Sequence, residues 1–447
     1  MRRVLVANRG EIAVRIIRAA HAAGLETVAV YSDADEHGRW VQLADTAVHI
    51  GKSAAAKSYL NSAALVEAAR STGADAVHPG YGFLSERAGA AKEFADAGLT
   101  FVGPAVSTIE TMGDKAAARE AARRAGVPVV PGSGPVGDVD EALAAADDVG
   151  YPVLLKAAAG GGGRGIRPVA SAAELAEALP AAQAEARAAF SDDTVYLEWA
   201  IDGARHIEVQ ILADTAGTVV HTFERDCSVQ RRRQKLIEEA PAPGLPARTR
   251  ADINDAAVRL ARQVGYLGAG TVEFLLTPSG EFFFIEMNTR IQVEHPISEA
   301  ITGVDLVSEQ LRIAAGEPIS FGQDEVGIRG AAVELRINAE DPDNRFQPTP
   351  GTLTRLDLPG GPGVRVDTGF VAGDRISPFY DSMIAKVICS GPDRDTALAR
   401  ARQALAELRV EGVPTTVSVH RRLLDEPDVR AGAVHTRWLE ELMPETL

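Results

Sequence analysis

Short apolar runs alternate with helically spaced segments over the first hundred residues. Arg3–Ala7, Thr27–Tyr31, Thr46–Ile50, Ala76–His78 and Thr100–Val102 read as strands. Between them, Glu11–Ala23, Ser62–Ser71 and Ala88–Ala97 carry the helical period. This βαβα alternation predicts a parallel, doubly wound sheet. The first turn, Ala7-Asn8-Arg9-Gly10-Glu11-Ile12, lacks the glycines of a dinucleotide-binding turn. Gly126–Gly134 is rich in Pro and Gly and reads as a linker. A helix at Asp140–Ala146, a strand at Pro152–Ala157, a glycine run, a helix at Ala172–Ala188 and a strand at Thr194–Trp199 follow. The middle section runs to about Ala315. A glycine-rich stretch, Phe321–Gly330, then leads into a third of short strands with one helix at Asp395–Leu408. No internal repeat is visible.

Composition narrows the class. The chain has 447 residues, and 62 Asp and Glu against 46 Lys and Arg give a net charge of −16. That excess argues against a general nucleic-acid binder, whose footprint is basic. Two cysteines exclude a disulfide-built fold and suit a reducing compartment. No apolar stretch approaches the roughly 18 residues of a membrane span. A soluble, cytoplasmic protein is expected. Only seven of the 46 basic residues are Lys, at 52, 57, 92, 115, 156, 235 and 386. A chain that defaults to Arg draws attention to where it keeps a compact ammonium.

Four segments carry candidate chemistry. Lys156 ends a strand and is followed by Gly160-Gly161-Gly162-Gly163-Arg164-Gly165. Such a run suits close backbone approach to phosphate oxygens, with Lys156 as the point charge. Gly270–Leu276 and Glu281–Asn288 read as a hairpin. A four-residue loop, Pro278–Glu281, sets Glu273 opposite Glu286, with Asn288 on the face of Glu286. Opposed carboxylates repel, and a divalent ion with oxygen ligands, Mg²⁺, resolves the repulsion. If Thr289–Glu294 is extended, Arg290, Gln292 and Glu294 point the same way, a set suited to a small oxyanion with Glu294 as base. Arg205–Ile211 alternates so that His206, Glu208 and Gln210 share one face, either a polar outer face or part of a site. Gln230–Lys235 is a basic cluster that reads as a solvated run or as a focus for an anion. Cys227 and Cys389 lack metal-ligand spacing and read as packing residues.

Together these segments resemble the ATP-grasp ligases and, more narrowly, the biotin carboxylases. The resemblance spans nearly the whole chain. It rests on Ala7-Asn8-Arg9-Gly10-Glu11-Ile12-Ala13, His78-Pro79-Gly80-Tyr81-Gly82-Phe83-Leu84-Ser85-Glu86 and Phe101-Val102-Gly103-Pro104. It continues in the glycine run, Glu224-Arg225-Asp226-Cys227-Ser228 and the string from Ile285 to Pro296. It ends in Arg336-Ile337-Asn338-Ala339-Glu340-Asp341-Pro342 and Tyr380-Asp381-Ser382-Met383.

The resemblance implies an α/β protein with a Rossmann-like domain at 1–112. An ATP-grasp domain at 113–315 would follow, with a glycine-loop lid at about 130–203, and then a C-terminal α+β domain at 330–447. It implies that Lys115 and Lys156 contact ATP phosphates beneath the loop that contains Gly161, Gly162 and Gly163. Glu198, His206, Gln230 and the backbone near Ile201 would contact adenosine, with Lys235 by the phosphates. Glu273, Glu286 and Asn288 would hold Mg²⁺ or Mn²⁺. Arg290, Gln292, the Val293 backbone and Glu294 would bind bicarbonate, and Arg336 would face the ureido oxygen of biotin. Glu294 would take the bicarbonate proton and carboxyphosphate would form, with ADP and phosphate released. Departures lie at Arg233, where the family often has His near the ribose, at Trp199 and Ala200, and at Arg87. No Lys has a neighbouring Met, so biotin is expected on a separate carrier chain. A carboxyltransferase partner, a role in acyl-CoA carboxylation such as that of acetyl-CoA in fatty acid biosynthesis, and a homodimer are expected by the same resemblance. A different ATP-grasp ligase and a non-catalytic nucleotide-binding scaffold are the competing readings.

Overall fold

A computed structural model describes residues 1–158, 165–190 and 192–444. The first hundred residues form a five-stranded, all-parallel sheet. Its order is Thr46–Gly51, Glu26–Ser32, Arg3–Val6, Ala76–His78 and Thr100–Phe101. The strand order reverses beside the first strand, where open α/β sheets leave a crevice at their carboxyl ends. The helix that follows, Gly10–Ala22, buries Ile12, Ile16 and Ile17 against Leu306, Val307 and Leu311 of the helix Leu306–Ala314. Gly10 has φ +68°, and Gly369 of the C-terminal third packs so closely on it that a Cβ there would lie 2.6 Å from Gly10. The absence of a side chain at Gly369 therefore allows two backbones to meet.

An eight-stranded antiparallel sheet dominates the rest. Its order is Phe282–Asn288, Gly268–Leu276, Arg205–Ala213, Val219–Arg231, Gln234–Ala240, Ala331–Asn338, Met383–Gly391 and Val364–Thr368. The middle and C-terminal thirds thus share one sheet, joined where Gln234–Ala240 pairs with Ala331–Asn338. The helix Ala247–Gln263 covers one half through Ile253, Ala257 and Leu260, and Arg394–Glu407 covers the other through Leu398, Ala401 and Leu405. A separate four-stranded sheet, in the order Gly132–Val136, Val195–Trp199, Val153–Ala157 and Ile166–Val169, packs on the helices Val139–Val149 and Ala172–Phe190. Its core of Val153, Leu155, Leu175, Leu179 and Leu197 stands apart from the others.

Three sequence expectations need correction. The segment read as a linker at 126–134 enters a strand at Gly132, paired with Glu198, and Val129 bridges to Phe284. The hairpin loop holds five residues, not four, because Leu276 pairs with Phe282. A bulge between Glu273 and Phe274 adds one residue to the partner strand at Ile285, which restores the expected pairing of Glu273 with Glu286. Finally, the chain from Thr289 to Glu294 is not extended. It turns at Val293–Glu294 into the helix His295–Thr302, whose first turn carries Pro296.

Candidate functional site

The site is built on one rung of the large sheet. Arg225, Glu208, Glu273 and Glu286 are successive cross-strand partners. Directly opposed residues share a face, so three carboxylates stand in a row beside one guanidinium. The face that alternation left open as polar surface is buried: Glu208 and Gln210 are fully enclosed and His206 is nearly so.

Lys235 holds this row together. It opposes Gln230, also buried, in the hairpin whose turn residues Arg232 and Arg233 both have positive φ. Such a turn matches the twist of paired strands, but β-carbon-bearing residues adopt it only under strain. The Lys235 Nζ donates to Glu208 Oε2 at 2.6 Å, Glu294 Oε1 at 2.5 Å and Glu273 Oε1 at 3.2 Å. Arg225 donates to the other oxygen of Glu208 at 2.6 Å. His206 Nε2 lies 3.1 Å from Glu273 Oε2. Burial opposes the charged form of His206, yet the Glu273 carboxylate holds its pKa above the ordinary value. Burial would likewise raise the Glu273 carboxyl, but Lys235 and His206 bring it well below the usual range. Glu286 makes no hydrogen bond among the described residues. It is the exposed member of the row, and partial loss of water together with the facing Glu273 pushes its carboxyl up.

The turn after Asn288 converges on the same point. Arg290 donates to Glu86 at 2.8 Å, to Gln292 Oε1 at 3.2 Å and to Asn288 Oδ1 at 3.0 Å. Gln292 and Asn288 donate their amide N–H groups to Glu273 at 3.0 and 2.8 Å. Glu294 is fully buried, and its second oxygen accepts from Arg336 at 2.9 Å. Burial acts to raise the Glu294 carboxyl, but Lys235 and Arg336 hold it well below the usual range. The Val293 carbonyl accepts from Lys386 at 2.8 Å, and Lys386 pairs with Glu11 of the N-terminal region at 3.0 Å.

A second cluster faces this one from the smaller sheet. Asp114 caps the helix Lys115–Arg124, which makes Lys115 its first residue and puts Arg119 one turn on. Arg119 and Lys156 both pair with Glu198. Loss of water and the Lys156 charge lower the Lys115 pKa, while Glu286 and Glu198 act to raise it, so the two clusters share one electrostatic field. Ile201 lies just past the strand Val195–Trp199. Gly161, Gly162 and Gly163 fall outside the described residues.

The donors on the first rung fit a divalent cation. Glu273 and Glu286 supply facing carboxylates, one of them without a hydrogen-bond partner among the described residues, and hard oxygen ligands suit Mg²⁺. His206, Glu208 and Glu273 also cluster tightly enough for a metal, as do Glu208, Cys227 and Glu294, but the Lys235 ammonium already bonds carboxylates in both groups. Sequence reasoning missed Glu86, Arg119, Glu11, Glu238 and the partnering role of Lys386. Only Glu208, through alternation, gave a signal.

Cationic side chains facing paired carboxylates across two sheets, one with its own core, define an ATP-using ligase of the ATP-grasp class. Family models agree: residues 114–321 match the ATP-binding domain of the carbamoyl-phosphate synthase L chain, 1–109 the biotin carboxylase N-terminal domain, and 334–441 the biotin carboxylase C-terminal domain. The biotin carboxylase of Nostoc sp. is 52% identical over 441 residues, covering 98% of this chain and 99% of that one. The Campylobacter jejuni biotin carboxylase complex superposes with a TM-score of 0.94 at 42% identity over 98% of each chain. The biotin carboxylase domain dimer of the Hydrogenobacter thermophilus 2-oxoglutarate carboxylase, solved with MgADP and bicarbonate, gives a TM-score of 0.93 at 46% identity over 100% of this chain and 98% of that one. The chain belongs to the biotin carboxylase family. Its activity is the ATP-dependent carboxylation of biotin, the first half-reaction of biotin-dependent carboxylases.

Proposed function

We propose that Lys115 and Lys156 receive the ATP phosphates and that Glu273 and Glu286 hold Mg²⁺ or Mn²⁺, with Asn288 steadying Glu273. Glu198, His206, Gln230 and the backbone near Ile201 border the nucleoside. When bound, the ion neutralises phosphate charge and orients the γ-phosphoryl group. Lys156 leaves Glu198 to reach the phosphates, and Arg119 keeps that carboxylate paired. Arg290, Gln292 and the Val293 backbone hold bicarbonate.

Glu294 is the base. In the ligand-free state Lys235 and Arg336 both pair with it, so its proton affinity is low. Incoming anions draw Lys235 towards phosphate and Arg336 towards the ureido oxygen. Glu294 then regains basicity only when the substrates are in place. The deprotonated bicarbonate attacks the γ-phosphorus, giving carboxyphosphate and ADP. Carboxyphosphate breaks down to CO₂ and phosphate. The phosphate takes the N1′ proton of biotin, Arg336 stabilises the ureido oxyanion, and N1′ attacks CO₂.

The observation that carries this reading is one ammonium, Lys235, bonded to Glu208, Glu273 and Glu294 beside Arg336. Among these 447 residues no Lys has a Met neighbour, so the biotin to be carboxylated is taken to be attached outside them. A carboxyltransferase would pass the carboxyl group to an acyl-CoA such as acetyl-CoA, as fatty acid biosynthesis requires. A homodimer is proposed by analogy with the Hydrogenobacter domain dimer. Two free, buried cysteines suit a reducing cytoplasm, and no helix among the described residues is long and apolar enough to cross a membrane. The test is ADP release at saturating Mg-ATP. Dependence on bicarbonate and stimulation by free biotin are expected together; release indifferent to both would overturn the reading.

A further inference from the structure

Behind Arg336 lies a buried acidic pair that the roles above leave unused. Glu238 on Gln234–Ala240 stands directly opposite Glu334 on Ala331–Asn338, and both are fully buried. Glu238 Oε1 accepts from Arg336 Nε at 2.5 Å. Among the described residues its Oε2 has no hydrogen-bond partner, and neither oxygen of Glu334 has one. The charged groups around the pair are Arg336, Lys235, Lys386 and Glu294. Lys386 is already committed to Glu11 and the Val293 carbonyl, Lys235 to three other carboxylates, and Arg336 to Glu238 and Glu294. Two adjacent ionised carboxylates cannot both persist when fully buried, and the one with no hydrogen bond among the described residues takes the proton.

We propose that Glu238 is a positioning residue for the biotin half of the reaction. It fixes the plane of the Arg336 guanidinium through Nε, while Glu334, held as the neutral acid, keeps the pair at a single negative charge. The consequence is geometric. In the ligand-free state, with Nε bound to Glu238 and Nη2 bound to Glu294, the guanidinium cannot rotate about its own axis; when Nη2 turns from Glu294 to substrate, the Glu238 bond to Nε still fixes its plane. Were Glu334 ionised, a second negative charge behind Arg336 would draw it away from substrate. Burial pushes Glu238 up to about 7 even beside Arg336, and Glu334 well above the carboxylate range, in keeping with one shared charge.

This inference rests on the assignment of Arg336 to the ureido oxygen, and three substitutions separate the two. Glu238→Gln keeps an oxygen within reach of Nε but removes the charge. Glu238→Asp keeps the charge but withdraws it by one methylene. Glu334→Gln mimics the neutral acid. The readout is the ratio of biotin-stimulated to biotin-free ADP release between pH 6.5 and 9. Glu238→Asp should lower this ratio at least tenfold and raise the KM for biotin. Glu238→Gln should stay within threefold of the parent, and Glu334→Gln within twofold with an unchanged pH profile. A Glu238→Gln ratio as low as that of Glu238→Asp, an undiminished ratio in Glu238→Asp, or a shifted profile in Glu334→Gln would overturn the proposal. If Arg336→Ala itself keeps the ratio, the underlying assignment fails instead.

Discussion

Replacing Lys235 by Met removes one cation from the centre of three buried carboxylates and leaves the packing volume nearly unchanged. Glu208 keeps Arg225, Glu294 keeps Arg336, and Glu273 keeps His206 and two amide donors. No carboxylate is fully orphaned, so the loss is that of one broken buried ion pair, about 3–5 kcal/mol. Spread over the unfolding entropy of a chain this long, that is a fall of about 3–5 °C in Tm. The sign of the pH dependence follows. A carboxylate that loses its cation binds a proton more readily in the folded protein than in the unfolded chain. The deficit is therefore largest at high pH and shrinks as pH falls towards 6. Magnesium should restore part of the missing charge at Glu273 and Glu286, so millimolar Mg²⁺ should raise the Tm of Lys235→Met more than that of the parent. Scanning calorimetry at pH 6 and 8.5, with and without Mg²⁺, gives all four values. An unchanged Tm, or a deficit that grows as pH falls, would refute the reasoning.

Other outcomes follow from the same geometry. Arg336→Ala should lower biotin carboxylation by at least about a hundredfold, the scale of losing one oxyanion donor, while the Kd for ATP changes little; rapid-quench carboxylation and calorimetric titration check this. Glu86→Gln weakens the anchor that Arg290 finds at 2.8 Å. It should raise the KM for bicarbonate by about tenfold, as the loss of a hydrogen bond to a charged group implies, and leave the KM for ATP nearly unchanged. His420 Nε2 donates to the Arg336 carbonyl oxygen at 2.7 Å, and burial holds its pKa down at about 4. Its neutral form is favoured in the fold, so its contribution is present above about pH 6.5 and is lost as pH falls towards 4. At pH 5 the loss amounts to about 2 kcal/mol. In His420→Gln the fall in stability between pH 7 and pH 5 should be smaller than in the parent by that amount, as read from urea unfolding.

Local pattern carried much of this architecture, and distance along the chain hid the rest. The parallel N-terminal sheet was legible because each strand is a short apolar run set between helical periods. The pairing of Glu273 with Glu286 was also legible, but only because two local errors cancelled: a loop one residue longer than expected and a one-residue bulge three pairs further on. Arg290, Gln292 and Glu294 converge from a turn and not from the extended segment that alternation suggests, since Pro296 and the start of a helix turn the chain. Glu86 and Arg119 gave no local signal, and Lys386 stood out only as one of seven Lys. Their partners Arg290, Glu198 and Glu11 lie 204, 79 and 375 residues away, and nothing in composition or period links such positions. The same holds for Glu238 and Glu334, which read as strand residues until the two strands are brought side by side.

On the proposed route, bicarbonate deprotonated at Glu294 attacks the γ-phosphorus of ATP held between the two sheets. Bicarbonate labelled with ¹⁸O tests it directly, by mass analysis of the phosphate released with ADP. Attack on phosphorus, followed by loss of CO₂, leaves one bicarbonate oxygen in each phosphate; phosphate that carries no label would contradict the account.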